Sequence, residues 1–251
     1  MEIKQKKKVA VVFFGLTRSV SDTIESIQQC LFQPILDADM EYDVFVHTYQ
    51  IHGSYHNRWS NEHVKEYDNE QYKLLNPKYF VSDIQEEILS NVIRIEDYFT
   101  HLGCWTGFQE DLTRFLIRNM VLALYSKKRI TEVLEAHIEE YDYVIITRPD
   151  LKFANIIPFT DIISRLTDQN IIIPTIEWWL GCNDKMCICK PNIGVFVGKL
   201  YDNLQLYSTR KSIVSELFFK DMLDTFRIHI LSFDINYQFI RCKNNTEEDN
   251  T

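Results

Sequence analysis

The residues best equipped for chemistry lie where apolar runs end. Tyr141–Phe153 reads YDYVIITRPDLKF. Within it, Tyr143 to Thr147 is β-branched and nearly uncharged, the pattern of a strand buried on both faces of a parallel sheet. Pro149 cannot donate to a ladder and pushes Arg148 toward an extended conformation, so the strand should end at Thr147 or Arg148. Asp150 then sits just past the carboxyl end of a central strand, the edge at which open α/β sheets place their ligands. An Arg and an Asp delivered there suit a phosphate and a metal. A surface ion pair capping the strand would use the same two residues.

A second charged loop follows the first apolar run. Lys8–Gly15, KVAVVFFG, reads as a strand, and Gly15 lets the backbone turn as it leaves the sheet. Leu16-Thr17-Arg18 lies between that strand and a helix over Thr17 to Leu36, where a helix amino end can meet an anion. Pairing of Arg18 with an acidic neighbour is the plainer alternative. Tyr42–Tyr49, YDVFVHTY, is a strand that ends in His47 and Thr48, and a lone His there is more often a hydrogen-bonded structural group than a ligand or base. Glu177-Trp178-Trp179 puts a carboxylate and two large aromatics in one loop. They form either a stacking platform for a sugar face or a buried plug. Six cysteines, at 30, 104, 182, 187, 189 and 242, match neither a zinc ribbon nor a disulfide framework. They read as free thiols in a reducing cytosol, with a metal on Cys182, Cys187 and Cys189 as the alternative.

The elements that must position these groups alternate in type along the chain. After His47 a polar, aromatic-rich segment from His52 to Asn76 suggests an irregular loop, then a helix over 62–75 that could cover the site. Lys78–Ser82 predicts a third strand and Asp83–Leu89 a short helix. Past Gly103–Gly107 the longest helical stretch, Phe108 to Glu140, carries an apolar stripe of Leu112, Phe115, Leu116, Met120, Ala123 and Leu124, continued by Ile130, Val133, Leu134 and Ile138. Ser126–Arg129 marks a break or kink between them. Beyond Asp150, a helix at Phe159–Leu166 and strands at Asn170–Ile173 and Ile193–Val197 are expected. Helices over Leu200–Tyr207 and Val214–Phe226 and strands at Arg227–Leu231 and Tyr237–Arg241 complete the pattern. One α/β domain over residues 1–243 and a disordered acidic tail from Asn244 to Thr251 follow.

Composition bounds the function. The chain has 251 residues, 45% of them hydrophobic, enough for a sizeable core. A net charge of −9 argues against a nucleic-acid partner, which would need a basic face. With 7 glycines there are few positions for glycine-rich phosphate loops, and no G-x-G-x-x-G follows the first strand. Val9–Leu16 is too short to span a membrane, so no transmembrane segment and a cytoplasmic location are expected.

In order and spacing, strand-GLTR, YDVFVHTY, the long helical stretch ending in YDYVIITRPDL, and ND before a later strand resemble a group of GT-A-fold glycosyltransferases. These occur in bacterial surface-polysaccharide loci and in large DNA viruses. The resemblance runs from about Val9 to Arg241. It implies a GT-A-like, Rossmann-like, mostly parallel sheet flanked by helices. It also implies a nucleotide-diphosphate-sugar donor (a UDP- or GDP-sugar), a glycan acceptor, and Mn²⁺ or Mg²⁺. Such enzymes carry Asp-x-Asp where this chain has Arg148-Pro149-Asp150, so Asp150 alone is left as the metal ligand and Arg148 is free to neutralise the diphosphate. A literal Asp-x-Asp, Asp37-Ala38-Asp39, lies before the second strand and reads as a solvated turn. By resemblance Gly15, Leu16, Thr17, Arg18, His47, Thr48, Arg148 and Asp150 face the nucleotide-sugar, together with Trp178 and Trp179. Asp184 is the catalytic base of an inverting transfer, with Arg148 assisting the leaving group, Glu177 as runner-up base and Glu216 as a more distant option. A turn Asp capping local backbone is the plain role for Asp184. A non-catalytic sugar-nucleotide or glycan-binding module on the same fold is the alternative function.

Overall fold

The computed structural model describes residues 6–99 and 110–242, with the side chains of 110 and 111 excepted. The expected acidic tail and the Gly103–Gly107 interruption lie outside the described residues. Eleven strands occur among those described: β1 Lys8–Phe14, β2 Glu41–Gln50, β3 Tyr55–Asn57, β4 Glu62–Val64, β5 Tyr79–Ile84, β6 Tyr143–Thr147, β7 Leu151–Phe153, β8 Asn170–Pro174, β9 Met186–Cys189, β10 His229–Phe233 and β11 Tyr237–Phe239. The helices are α1 Val20–Ile27, α2 Gln33–Asp37, α3 Gln85–Asn91, α4 Glu110–Glu135, α5 Phe159–Arg165, α6 Pro191–Gly198, α7 Tyr201–Ser208 and α8 Ser215–Thr225.

Seven strands form one sheet in the order β10-β8-β9-β6-β1-β2-β5. All neighbours are parallel except at β9, which runs antiparallel to both β6 and β8. The mostly parallel α/β sheet flanked by helices is therefore present as the sequence predicts. Alternation along β1 fills two cores. Ala10, Val12 and Phe14 pack with α4, α6, α7 and α8 on one face, and Val9, Val11 and Phe13 pack with α1, α2 and α5 on the other. Helices on both faces explain why β6 and β8 are buried at every position.

Three expectations need correction. No helix spans 62–75. Instead β3 and β4 form an antiparallel hairpin that buries Tyr55, Asn57, Glu62 and Val64 at alternate positions, followed by a short 3-10 turn at Gln71–Leu75. The Asn57 side chain stabilises the connecting loop by accepting from the Trp59 and Ser60 amides at 3.1 and 3.3 Å. Ile193–Val197 is not a strand but part of α6, which Pro191 starts. Its glycines let the helix lie close to its neighbours: a Cβ at Gly194 would stand 2.9 Å from the Val144 side chain, and one at Gly198 1.9 Å from Thr131 Oγ1. The strand in this region is Met186–Cys189 instead. Third, α4 runs unbroken through Ser126–Arg129 for 26 residues, because Ser126 and Lys127 are turned into the protein rather than toward solvent.

Smaller differences follow local chemistry. The first helix passes through a π turn at Gln28–Phe32 between α1 and α2, where the Cys30 carbonyl accepts from the Ile157 amide at 3.0 Å. Asp37-Ala38-Asp39 is a turn after α2 with Asp37 and Asp39 exposed, and Asp39 pairs with Lys6 at 2.5 Å. The antiparallel ribbon β7–β11 carries the end of the described chain back over the sheet edge, where the Ile240 amide donates to the Asp150 carbonyl at 2.9 Å.

Candidate functional site

Strand β6 ends at Thr147, as Pro149 requires, and the next residues deliver a carboxylate to the sheet edge. Asp150 is buried at 2% exposure. Arg148 Nε and Nη2 donate to its Oδ1 and Oδ2 at 2.8 and 2.5 Å. Arg241, brought in by the β7–β11 ribbon, donates to Oδ2 at 2.9 Å, and Arg18 Nη2 reaches the same oxygen at 3.5 Å. Three guanidinium groups, from three distant parts of the chain, thus converge on one carboxylate. Burial works against the charge of Asp150, but Arg148 first, then Arg18 and Arg241, hold its pKa down at about 2. Asp150 in turn raises the Arg148 pKa against the opposing effect of burial.

Arg18 is itself enclosed. Its Nη1 donates to Tyr55 Oη at 2.7 Å, and Nε stands 3.0 Å from Glu62 Oε1, close enough for charge attraction but not aligned as a hydrogen bond. The β3–β4 hairpin therefore supplies the counter-charge for the first loop. Arg18, Arg148 and Arg241 together face two carboxylates, Asp150 and Glu62, which leaves one positive charge in excess. Arg148 and Arg241 both lie against the Phe239 ring, 5.3 and 4.9 Å from its centre.

This edge opens into a cleft of about 990 Å³. Of the residues expected to face a ligand, Gly15, Leu16, Arg18, Arg148, Glu177, Trp179 and Asp184 line it. Thr17, His47, Thr48, Asp150 and Trp178 do not. The buried Thr17 and Thr48 hydroxyls are 3.3 Å apart and join the first loop to β2. His47, fully buried, has its Nδ1 2.7 Å from Ser126 Oγ and its Nε2 3.1 Å from Asp83 Oδ2. Burial lowers its pKa, so a neutral ring that donates from Nε2 to Asp83 and accepts the Ser126 hydroxyl at Nδ1 is assigned. Ser126 Oγ then accepts from the Gly15 amide at 2.7 Å. His47 thus has the structural role and holds the Gly15 turn, whose φ of 94° suits glycine.

The loop after β8 is exposed rather than a buried plug: Trp178 is 43% and Trp179 68% exposed. Trp178 Nε1 donates to the Pro174 carbonyl at 2.7 Å, and Trp179 Nε1 to Glu177 Oε2 at 2.9 Å. Trp179 shares the cleft lining with Trp59 of the hairpin loop. Farther on, Gly181 passes against the start of α8, where a Cβ would meet the Glu216 carbonyl oxygen at 2.0 Å. That approach brings Asp184 to Ser215 and Lys185, both of which donate to its carboxylate. Lys185 also donates to Glu216 Oε1 at 2.7 Å. One lysine therefore joins two carboxylates with opposite tendencies. Lys185 and Lys127 lower the Asp184 pKa against the effect of burial, whereas burial and then Asp184 itself raise that of Glu216.

Sequence reasoning missed Arg241, Lys185, Tyr55, Glu62 and Lys127. The signal for Lys127 is its place on the apolar stripe, three residues from Leu124 and from Ile130, in the segment Ser126–Arg129 that reads as a break. The others required knowledge of the β7–β11 ribbon and the hairpin. Six cationic side chains (Arg18, Arg118, Lys127, Arg148, Lys185, Arg241) line the cleft against four carboxylates, Glu86, Glu177, Asp184 and Glu216. Counting Asp150 and Glu62, which pair with Arg18, Arg148 and Arg241, the local charges balance at six of each sign, but those two carboxylates are not part of the lining, so the cleft surface itself is richer in cations.

The donor set at Asp150 does not fit a divalent cation. Both carboxylate oxygens already accept from guanidinium groups, and a metal there would stand among three positive charges. Among the described residues no group of three His, Cys, Asp or Glu side chains is arranged to hold a metal ion, Cys182, Cys187 and Cys189 included.

No protein-family profile and no curated protein matches the chain. Among solved structures, it is similar to mouse xyloside xylosyltransferase 1 in its apo form, at 13% identity and TM-score 0.42, over 90% of this chain and 85% of that one. A putative nucleotide-diphospho-sugar transferase from Desulfovibrio desulfuricans G20 matches at 10% identity and TM-score 0.37, over 91% of this chain and 80% of that one. Among the described residues no helix is long and apolar enough to cross a membrane.

Proposed function

We propose that this protein is a glycosyltransferase that moves a sugar from a UDP- or GDP-sugar to a hydroxyl of a glycan acceptor, with inversion at the anomeric carbon. The observation that carries the reading is the convergence of Arg18, Arg148 and Arg241 on Asp150 at the carboxyl edge of β6 and β1, beside a cleft large enough for a nucleotide-sugar. In the transfer, the bond between the anomeric carbon and the β-phosphate oxygen breaks and its electron pair stays on the diphosphate. Arg148 and Arg241, at the cleft wall, meet that developing charge. The acceptor oxygen forms the new bond to the anomeric carbon and loses its proton to a carboxylate.

Glu216 suits the proton-accepting role better than Asp184. Asp184 is held ionised by Lys185 and Ser215, which makes it a weak proton acceptor. Glu216 has a raised pKa, and among the described residues only its Oε1 is engaged by another side chain. Asp184 then fixes Lys185 and the start of α8. Glu177 lies at the cleft beside Trp179, and the exposed indoles of Trp179 and Trp59 offer faces for an acceptor sugar.

The pairing of Lys185 with both carboxylates favours a second reading, a non-catalytic sugar-nucleotide or glycan-binding module. Incubation with UDP- and GDP-sugars together with a panel of mono- and oligosaccharide acceptors, followed by detection of released nucleoside diphosphate, separates the two. The transferase reading predicts release that falls by about 10²–10⁴-fold in Glu216→Gln with little change in donor affinity. Donor binding with no release, and no effect of Glu216→Gln or Asp184→Asn, would favour the binding module.

A further inference from the structure

Lys127 is an ammonium group that the fold has buried without a direct ion pair among the described residues. It sits on α4 at 3% exposure, between the rings of Phe14 and Phe219, with Nζ 4.5 and 5.8 Å from their centres. Its main opposite charge, at longer range, is Asp184 on the same cleft, and Asp184 is itself paired with Lys185. The two rings and the longer-range Asp184 charge offset part of the cost of burying this ammonium, and a direct counter-ion would offset more of it. Its backbone is held in place as well: the adjoining Ser126 hydroxyl accepts from the Gly15 amide, tying this turn of α4 to the loop that carries Arg18.

We infer that Lys127 is a phosphate-binding residue, and that Lys127, Arg148 and Arg241 neutralise the donor diphosphate in place of a divalent cation. The inference rests on the nucleotide-sugar reading above for the identity of the ligand, but the anion site itself does not depend on it. Three features support it together. Asp150 is occupied by arginines and does not fit a metal. Two of the counter-charges of the cleft's cations, Asp150 and Glu62, are not part of its lining, so the lining presents more cations than carboxylates to a ligand. Lys127, whose main opposite charge is the longer-range Asp184, gains a direct counter-ion when a phosphate arrives. Burial also pulls its pKa below that of a free lysine, so a bound phosphate would raise it again.

The test is calorimetric titration of inorganic pyrophosphate, UDP and GDP into the full chain in EDTA, and again with Mn²⁺, for wild type and Lys127→Met. Methionine has similar length and no charge, so the fold should persist. Lys127→Gln serves as the second variant should the first not fold. Expected is metal-independent binding of pyrophosphate and of one nucleoside diphosphate, weakened about 10- to 100-fold in either variant, as for loss of one charged hydrogen bond. Addition of Mn²⁺ should leave these affinities unchanged. Pyrophosphate binding without any nucleotide preference would uphold the anion site and remove the donor reading. Binding that requires Mn²⁺, equal affinity in wild type and variants, or no binding of pyrophosphate or either diphosphate would each overturn the inference.

Discussion

Asp150 illustrates how a single buried side chain can organise charge at the edge of a cleft whose lining it does not join. Its carboxylate holds three guanidinium groups in place, on Arg18, Arg148 and Arg241, and all three line the cleft. Removal of its charge should therefore destabilise the fold and scatter the arginines. Asp150→Asn is expected to lose about 3–5 kcal/mol, measured by urea unfolding at neutral pH. The sign of the pH dependence follows from the depressed pKa. The contribution of Asp150 is complete above its unfolded value of 3.8 and is lost as pH falls toward about 2. The stability difference between wild type and Asp150→Asn should accordingly shrink across that window and be constant above it. At this scale the sequence was informative about position and less so about role. Pro149 fixed where β6 ends, and so Asp150 fell at the edge as expected. That Arg241 and Arg18 would saturate it depended on contacts between residues 91 and 132 positions apart, which no local pattern encodes.

Elements place these residues through close approaches that only small side chains allow. Gly198 on α6 faces Thr131 on α4, and Gly194 faces Val144 on β6. Gly198→Ala should push α6 away from α4 and cost about 1–3 kcal/mol, read as a lower urea midpoint with an unchanged slope. A midpoint equal to wild type would show that the α4–α6 contact is loose. The apolar stretch Ile193–Val197 nonetheless reads as a strand from sequence, because it is short and rich in β-branched and aromatic residues. Ile193 and Val197 are also spaced for a helix, and short apolar runs fit either period. Pro191, which starts α6, was the signal that decides between them. The hairpin β3–β4 was hidden for a different reason: its strands are three residues each and its side chains are largely polar. By contrast β1, β2 and β6 were legible because long, buried, β-branched runs carry their own signature.

For the whole molecule, the sheet order puts β6 and β1 side by side, with Phe13 opposite Thr147, so their carboxyl ends open on the same edge. Helices on both faces leave that edge as the place where loops from distant parts of the chain can meet. The chain is acidic, at −9, yet its cleft gathers six cations. The general charge balance argues against a nucleic-acid surface but says nothing of where the minority charge collects. The most direct measurement of the central claim is calorimetric titration of UDP, GDP and their sugars into wild type and Arg241→Gln. The account predicts that one nucleotide series binds, the sugar-bearing member included, and that the affinity falls about tenfold or more when Arg241 loses its charge. Failure of every nucleotide and nucleotide-sugar to bind wild type would contradict it.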